Sequence, residues 1–289
     1  MVSEVGQVDL RAQLFDSKVK GFAEATYKFK QVVSISSTSA WKNWFYRETP
    51  TALAGTATNA IKGLSPGANF PSAVESWTKV MTTIQKYGLE GQIFWEDILA
   101  NDVDVQDRTL RRIAEGVTKA VDDEIWVQLG GTGTLSSVTS FTIVGRGWDE
   151  ASGTIIDDLL RARQLIAQNN YDTTTLKVLL SPKDYRSVIN YIASKGAQFP
   201  NFGDQVARNG NAGSLVGMDF IVSNSVTASN ALVCVPQVCA TWKELVPLQT
   251  TTIEDKYKSV TIRAVEEGVT QLTDPNAVIR IFGTQSSAS

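Results

Sequence analysis

The stretch from Ala151 to Val235 constrains the fold more than any other, because helix and strand signals alternate there with no reactive constellation between them. Ile155, Ile156, Leu159, Leu160, Ala162, Leu165 and Ile166 recur at helical spacing, and Asn169–Asn170 supplies a stop signal. The apolar run LKVLL (Leu176–Leu180) ends at Ser181–Pro182 and is followed by a second amphipathic helix, KDYRSVINYIA (Lys183–Ala193). After a Gly/Asn-rich loop come two short strand candidates, GSLVGMDFIVSNSV (Gly213–Val226) and ALVCVPQ (Ala231–Gln237). The segment reads as a small α/β unit without a Ser-His or Cys-His pairing, a metal cluster or a phosphate loop. A well-specified fold without chemistry points to surfaces.

Composition points the same way. At 289 residues the chain is long enough for one large core or two smaller ones. It contains no histidine, which removes the commonest general base, the commonest metal ligand and the physiological-pH switch together. The formal net charge of −3 gives no basic footprint of the kind that sequence-reading nucleic-acid binders carry. Cys234 and Cys239 form a C-x4-C spacing with no further thiol or imidazole to complete a zinc site, so they read as small apolar residues near a strand. No run approaches the ~20 apolar residues of a membrane span, and no signal-peptide core opens the chain. Synthesis and folding in a reducing cytoplasm follow as the expectation.

Before the α/β unit lie an arm, a hairpin and a long helix. Val8, Leu10, Leu14, Phe15, Val19 and Phe22 are unevenly spaced, and YKFKQVV (Tyr27–Val33) reads as a lone strand. Glu48–Ser72 is rich in Ala, Thr, Gly and Pro and builds no core alone. Trp77–Trp95 alternates imperfectly and reads as one or two strands broken near Gly88–Gly91. Together these predict a long β-hairpin.

From Val105 to Leu129, the apolar residues Leu110, Ile113, Ala114, Val117, Ala120, Val121, Ile125 and Leu129 keep to one helical stripe. Arg111, Glu115, Lys119 and Asp123 mark the opposite face. Such a helix would run about 38 Å. Asp104 is its expected N-cap, and Gly130–Gly131 its end. Capping explains two members of the Asp102, Asp104, Asp107 cluster without a metal. GGTGT (Gly130–Thr134) follows a helix and lacks the phosphate-loop lysine, so it reads as a turn. The carboxylate pairs Asp122–Asp123 and Asp157–Asp158 read as solvated, which argues against an acid–base enzyme. Beyond Val235, strands are expected at Leu245–Thr252, Val260–Val265 and Ala277–Phe282, separated by charged turns at Glu254–Lys258 and Glu266–Gly268, with Asp274–Pro275 leading into the last.

In this order the pieces resemble the major capsid proteins of tailed double-stranded DNA phages, the Hong Kong 97 fold. TKVMTTIQKYGLEGQIFWEDILANDVDVQDRTLRRIAEGVTKAVDDEIWVQLGGTG (Thr78–Gly133) is similar to that family's passage from hairpin strand into spine helix. KVLLSPKDYRSVINYI (Lys177–Ile192) and VGMDFIVSNSV (Val216–Val226) resemble elements of its axial domain, and SVTIRAVEEGVTQLTDPNAVIRIFG (Ser259–Gly283) its closing peripheral strands. The resemblance implies an α+β fold: an N-terminal arm (1–46), an extended hairpin loop (47–93), a peripheral domain with spine helix 105–129 (94–148), an α/β axial domain (149–242) and returning peripheral strands (243–289).

It further implies a non-enzymatic subunit that assembles with copies of itself, as pentamers and hexamers, into an icosahedral shell. Such a shell encloses packaged double-stranded DNA without sequence readout. Scaffolding and portal proteins are the implied partners, with a decoration protein optional; no cofactor, metal or membrane is implied. The implied location is the virion capsid, made in the host cytoplasm. Expected inter-subunit contacts are Trp41, Trp44, Lys62, Phe70, Trp77, Phe199 and Phe202. The pattern begins so early that the scaffolding extension of some members is not expected, which leaves a short-armed form with a separate scaffold or a processed product, with Met1 arguing against processing. The founding member joins a loop lysine to a peripheral asparagine; Lys62 suits the lysine, but Thr250–Lys258 holds no asparagine, so no cross-link is expected. The alternative is an encapsulin-like shell around cargo protein.

Overall fold

The structure is a computed structural model, and it describes residues 14–24, 27–47, 66–67, 77–99, 103–130, 138–143, 146–150, 153–195, 213–255 and 258–286, with the side chains of 98–99 and 103–106 excepted. In chain order the elements are α1 (14–24), β1 (Ser34–Ser37), β2 (Lys42–Arg47), β3 (Thr78–Thr83), β4 (Gln85–Phe94), α2 (Trp95–Leu99) and α3 (Val103–Gln128). They continue with β5 (Thr139–Thr142), α4 (Ile155–Gln168), β6 (Lys177–Leu180), α5 (Pro182–Ser194), β7 (Ser214–Leu215), β8 (Met218–Val222) and β9 (Asn230–Cys234). The last are β10 (Ala240–Asp255), β11 (Ser259–Leu272) and β12 (Val278–Phe282). The chain divides into two compact units, Met1–Asn43 with Thr82–Gln128 and Thr241–Gln271, and Trp44–Met81 with Leu129–Ala240 and Leu272–Ser289.

The first unit is built on a four-stranded sheet of order β1-β10-β11-β4 and on α3, which packs along β4. The expected stripe is the buried one: Leu110, Ile113, Ala114, Val117, Val121 and Ile125 are at most 2% exposed. The helix begins two residues earlier than expected, so Asp104 stands in its first turn and not at its cap. Gly130, at φ +88°, follows its end in the left-handed conformation that closes helices.

β4 runs unbroken through Gly88 and Gly91, contrary to the expected break; the interruption falls at Ile84. The glycines serve close approach. A Cβ on Gly91 would come within 2.5 Å of Ile113 Cδ1, and one on Gly116 of α3 within 2.6 Å of Leu89 Cδ2. Strand and helix therefore interlock, each offering a glycine to the other's branched side chain.

Tyr27–Val33 is a turn and not a strand. The Asp122 carboxylate of α3 accepts the backbone N–H groups of Lys28 and Phe29, both at 3.0 Å, which bends the chain away from an extended path. Phe29 stacks on Trp126 with ring centroids 6.0 Å apart. Tyr27 donates its hydroxyl to Glu266, and Lys30 Nζ reaches Glu266 Oε1 at 2.6 Å and Glu244 Oε1 at 3.2 Å. Glu266–Gly268 is accordingly no charged turn: Glu266 is fully buried inside β11 because an ammonium and a phenol satisfy it. Upstream, Leu14, Phe15, Val19 and Phe22 lie on α1, which buries Val19 and Ala23 one turn apart, while Val8 and Leu10 lie outside the described residues; Asp16 accepts from Thr250 N at 2.9 Å.

The second unit carries a six-stranded mixed sheet of order β5-β12-β9-β6-β8-β7. β12 lies between β5, to which it is parallel, and β9, to which it is antiparallel. The strand expected to close the peripheral part thus belongs to the α/β sheet. Its first four residues are all buried, a pattern that needs neighbours on both edges and cover on both faces. α5 is capped by Ser181, whose Oγ accepts from Asp184 N at 3.1 Å, and it opens on Pro182. α4 ends where expected, and Asn170 takes φ +63°. Asp274 caps the 3-10 turn Pro275–Ala277 through Asn276 N at 3.0 Å.

Candidate assembly surfaces

β2 and β3 form a two-stranded ribbon. Alternation on β2 sends Phe45 inward, 8% exposed, with the Arg47 guanidinium over its ring at 5.7 Å. The same alternation turns Trp44 and Tyr46 outward, where they are 59% and 60% exposed. Lys79 of β3 places its ammonium 4.7 Å from the Trp44 ring centroid, which marks the outer face of β3 and brings exposed Met81 onto it. Trp41 and Trp77, just before the two strands, are 49% and 47% exposed. The ribbon and its flanks thus present four exposed aromatic side chains and Met81 to water.

Trp41, Trp44 and Trp77, named from sequence as inter-subunit contacts, are therefore all exposed in the single chain, whereas Trp126, Trp148 and Trp242 are buried. Lys62, Phe70, Phe199 and Phe202 lie outside the described residues, as do most of Glu48–Ser72 and the loop after Lys195. Sequence reasoning missed Tyr46 and Met81; the period-two pattern of Lys42, Trp44 and Tyr46 was the available signal. It also missed Leu89 and Phe94, exposed on the edge strand β4.

The acidic pairs are not solvated as expected, since one member of each is buried. Asp122 is 3% exposed, and burial pushes its carboxyl up to about 6. Asp158 is 6% exposed and also raised, by burial, while it accepts Trp148 Nε1 at 2.9 Å. Both fasten backbone or side chain rather than face a cleft. A cleft of about 290 Å³ between Trp148–Glu150 and α5 is lined by Asp149, Asn190 and Tyr191. There Asp149 is occupied by Ser286 N at 2.8 Å and by Lys183 at 3.8 Å.

Among the described residues no group of acids and cysteines could hold a metal. Asp107 pairs with Lys18 at 2.7 Å; the side chains of Asp102 and Asp104 lie outside the described residues. Cys234 and Cys239 are free and buried. No helix among the described residues is long and apolar enough to cross a membrane.

A profile of the phage capsid protein family matches residues 77–281. The chain belongs to that family. It is a capsid shell protein of the tailed-phage kind, with the mixed helix-and-strand fold that the sequence resemblance implied. Solved structures agree on the fold of this capsid protein. The capsid of cyanophage P-SCSP1u is similar with a TM-score of 0.66 at 15% identity over 90% of each chain. A phage-related protein from Bordetella bronchiseptica RB50 gives 0.66 at 13% identity, covering 96% of this chain and 98% of its own. A virus-like particle from Pyrococcus furiosus gives 0.65 at 10% identity, covering 94% of this chain and 99% of its own. No curated protein sequence matches the capsid protein.

Proposed function

We propose that this capsid protein is the major subunit of an icosahedral shell that forms from pentamers and hexamers and encloses packaged double-stranded DNA. Membership of the phage capsid family supports the reading, and the observation that carries the self-assembly is the exposed aromatic face of the β2–β3 ribbon. Trp41, Trp44 and Trp77 are its proposed inter-subunit contacts, joined by Lys62, Phe70, Phe199 and Phe202. A closed shell repeats each weak contact many times, so modest surfaces suffice. On this reading residues 149–242 gather around the fivefold and sixfold axes, 47–93 reach a neighbouring subunit, and the spine helix with the returning strands forms the peripheral part. The role is structural, without catalysis, with scaffolding and portal proteins as partners and a decoration protein optional.

The test is electron microscopy and light scattering of the purified chain, with and without a scaffold partner. Regular particles from the purified chain, and particles with nuclease-protected DNA when isolated from infected cells, are the expected results; species of only about 31 kDa under every condition would overturn it. A second reading, an encapsulin-like compartment around cargo protein, is favoured by the likeness to a virus-like particle. Particles that hold a stoichiometric protein and no DNA would select it.

A further inference from the structure

We propose that the exposed face of α3 around Arg108, Arg111 and Arg112 is a docking stripe for the phosphate backbone of double-stranded DNA. The proposal rests on the reading of this chain as the wall of a DNA-filled shell, and it names the residues that meet the cargo. Arg108, Arg111, Arg112 and Lys119 are exposed, on the side of α3 opposite the buried Leu110, Ile113 and Val117. Asp107 is already neutralised by Lys18 at 2.7 Å, which leaves Glu115 as the one exposed acid among the described residues of this half of the helix. Arg108 and Arg112 have no acidic partner among the described residues. The Arg111 guanidinium rests 5.2 Å from the ring centroid of Phe22 on α1, which orders it before any ligand arrives.

Helix pairing accounts for part of this placement, since Asp104 and Asp107 stand four residues before Arg108 and Arg111. Arg108 stands three and four residues from Arg111 and Arg112, the spacings at which like charges weaken a helix. The basic residues occupy the N-terminal half of α3, while Asp122, Asp123 and Glu124 sit toward its C-terminal end, the reverse of what the helix dipole favours. A chain of formal net charge −3 has nonetheless gathered three guanidiniums within little more than one turn. Local pairing leaves the clustering of three exposed guanidiniums against the helix dipole unaccounted for, and that cluster matches a polyanion in charge.

Guanidinium forks match phosphate oxygens in pairs, and these project from the flank of a helix whose other side is packed away. Arg108 and Arg112 are about 6 Å apart along the axis, against one phosphate per ~3.4 Å of each DNA strand, so neighbouring phosphates can be met in series. Such a stripe holds backbone and reads no bases.

The experiment measures binding of a random-sequence duplex to the purified full-length chain across a salt series. It compares wild type, Arg108→Gln/Arg112→Gln and Arg108→Lys/Arg112→Lys, with each shell imaged in parallel. Two lost phosphate contacts should lower the salt slope by about 2, so wild type should lose roughly tenfold more affinity than the Gln variant between about 50 and about 200 mM salt. The Lys variant should keep the slope, and all three chains should form the same particles. An unchanged slope in the Gln variant would overturn the stripe while particles of normal form leave the shell reading intact. If the Gln variant instead loses particles, or loses binding to polyglutamate but not to DNA, the arginines serve a protein contact and the proposal is wrong. Failure of wild type to form particles would count against the shell reading alone.

Discussion

At Asp122 two demands meet: its carboxylate must accept the N–H groups of Lys28 and Phe29, and it must do so out of water. Burial wins, and the carboxyl is pushed from 3.8 up to about 6, with Asp123 adding like-charge repulsion and the backbone donors opposing. The folded chain therefore holds this proton more tightly than the unfolded chain does. Its contribution to stability is greatest below the unfolded value and falls as pH rises from about 4 to about 6, by at most about 3 kcal/mol. Asp122→Asn should remove that component, seen as a flatter dependence of the urea midpoint on pH across the window. Leaving one N–H without its acceptor should cost the variant about 1–3 kcal/mol at pH 4. Lys30 presents the opposite case. Lys30→Met would strand Glu266, fully buried, without its ammonium, and a loss of about 3–5 kcal/mol in chemical denaturation is expected.

Among elements, α3 was the most legible, because its stripe is periodic and its closing glycine local. α4, β6 and α5 were legible for the same reason: Ser181–Pro182 and Asn169–Asn170 act on their own neighbours. What failed was decided at a distance. Gly88 and Gly91 look like strand breakers until Ile113 is placed against them, and Glu266–Gly268 looks like a turn until Lys30 and Tyr27 arrive from far upstream. Trp41, Trp44 and Trp77 could be named from sequence only by residue type, and the pairing of β2 with β3 is what separates these exposed tryptophans from the buried ones. The interlock of strand and helix makes a sharp prediction. Gly91→Ala places a methyl 2.5 Å from Ile113 Cδ1 and should cost about 1–3 kcal/mol. Adding Ile113→Val, which deletes that atom, should recover part of the loss, so the double variant is more stable than the sum of its singles. Strict additivity in urea unfolding would show that the two do not touch.

For the whole molecule, Trp44→Ala/Tyr46→Ala separates folding from assembly. Both side chains are mostly in water, so the unfolding free energy of the unassembled chain should change by no more than ordinary surface substitutions do, about 0.5 kcal/mol in either direction for each. Particle formation should be lost or reduced at least tenfold, measured by light scattering. Normal particles from this variant would remove the ribbon from the interface.

The register of the four-stranded sheet has a further consequence, in time rather than space. Ser34 pairs with Thr241, and Phe94 with Ser259, so strands made early wait for partners made late. In the six-stranded sheet Thr139 waits for Ile279, close to the end of the chain. At about 5–20 residues per second, a nascent subunit spends many seconds with neither sheet closed. Surfaces that depend on both sheets are therefore acquired only after residue 279 has been made. A product that stops before residue 259 lacks the partner strands of β4 and β5.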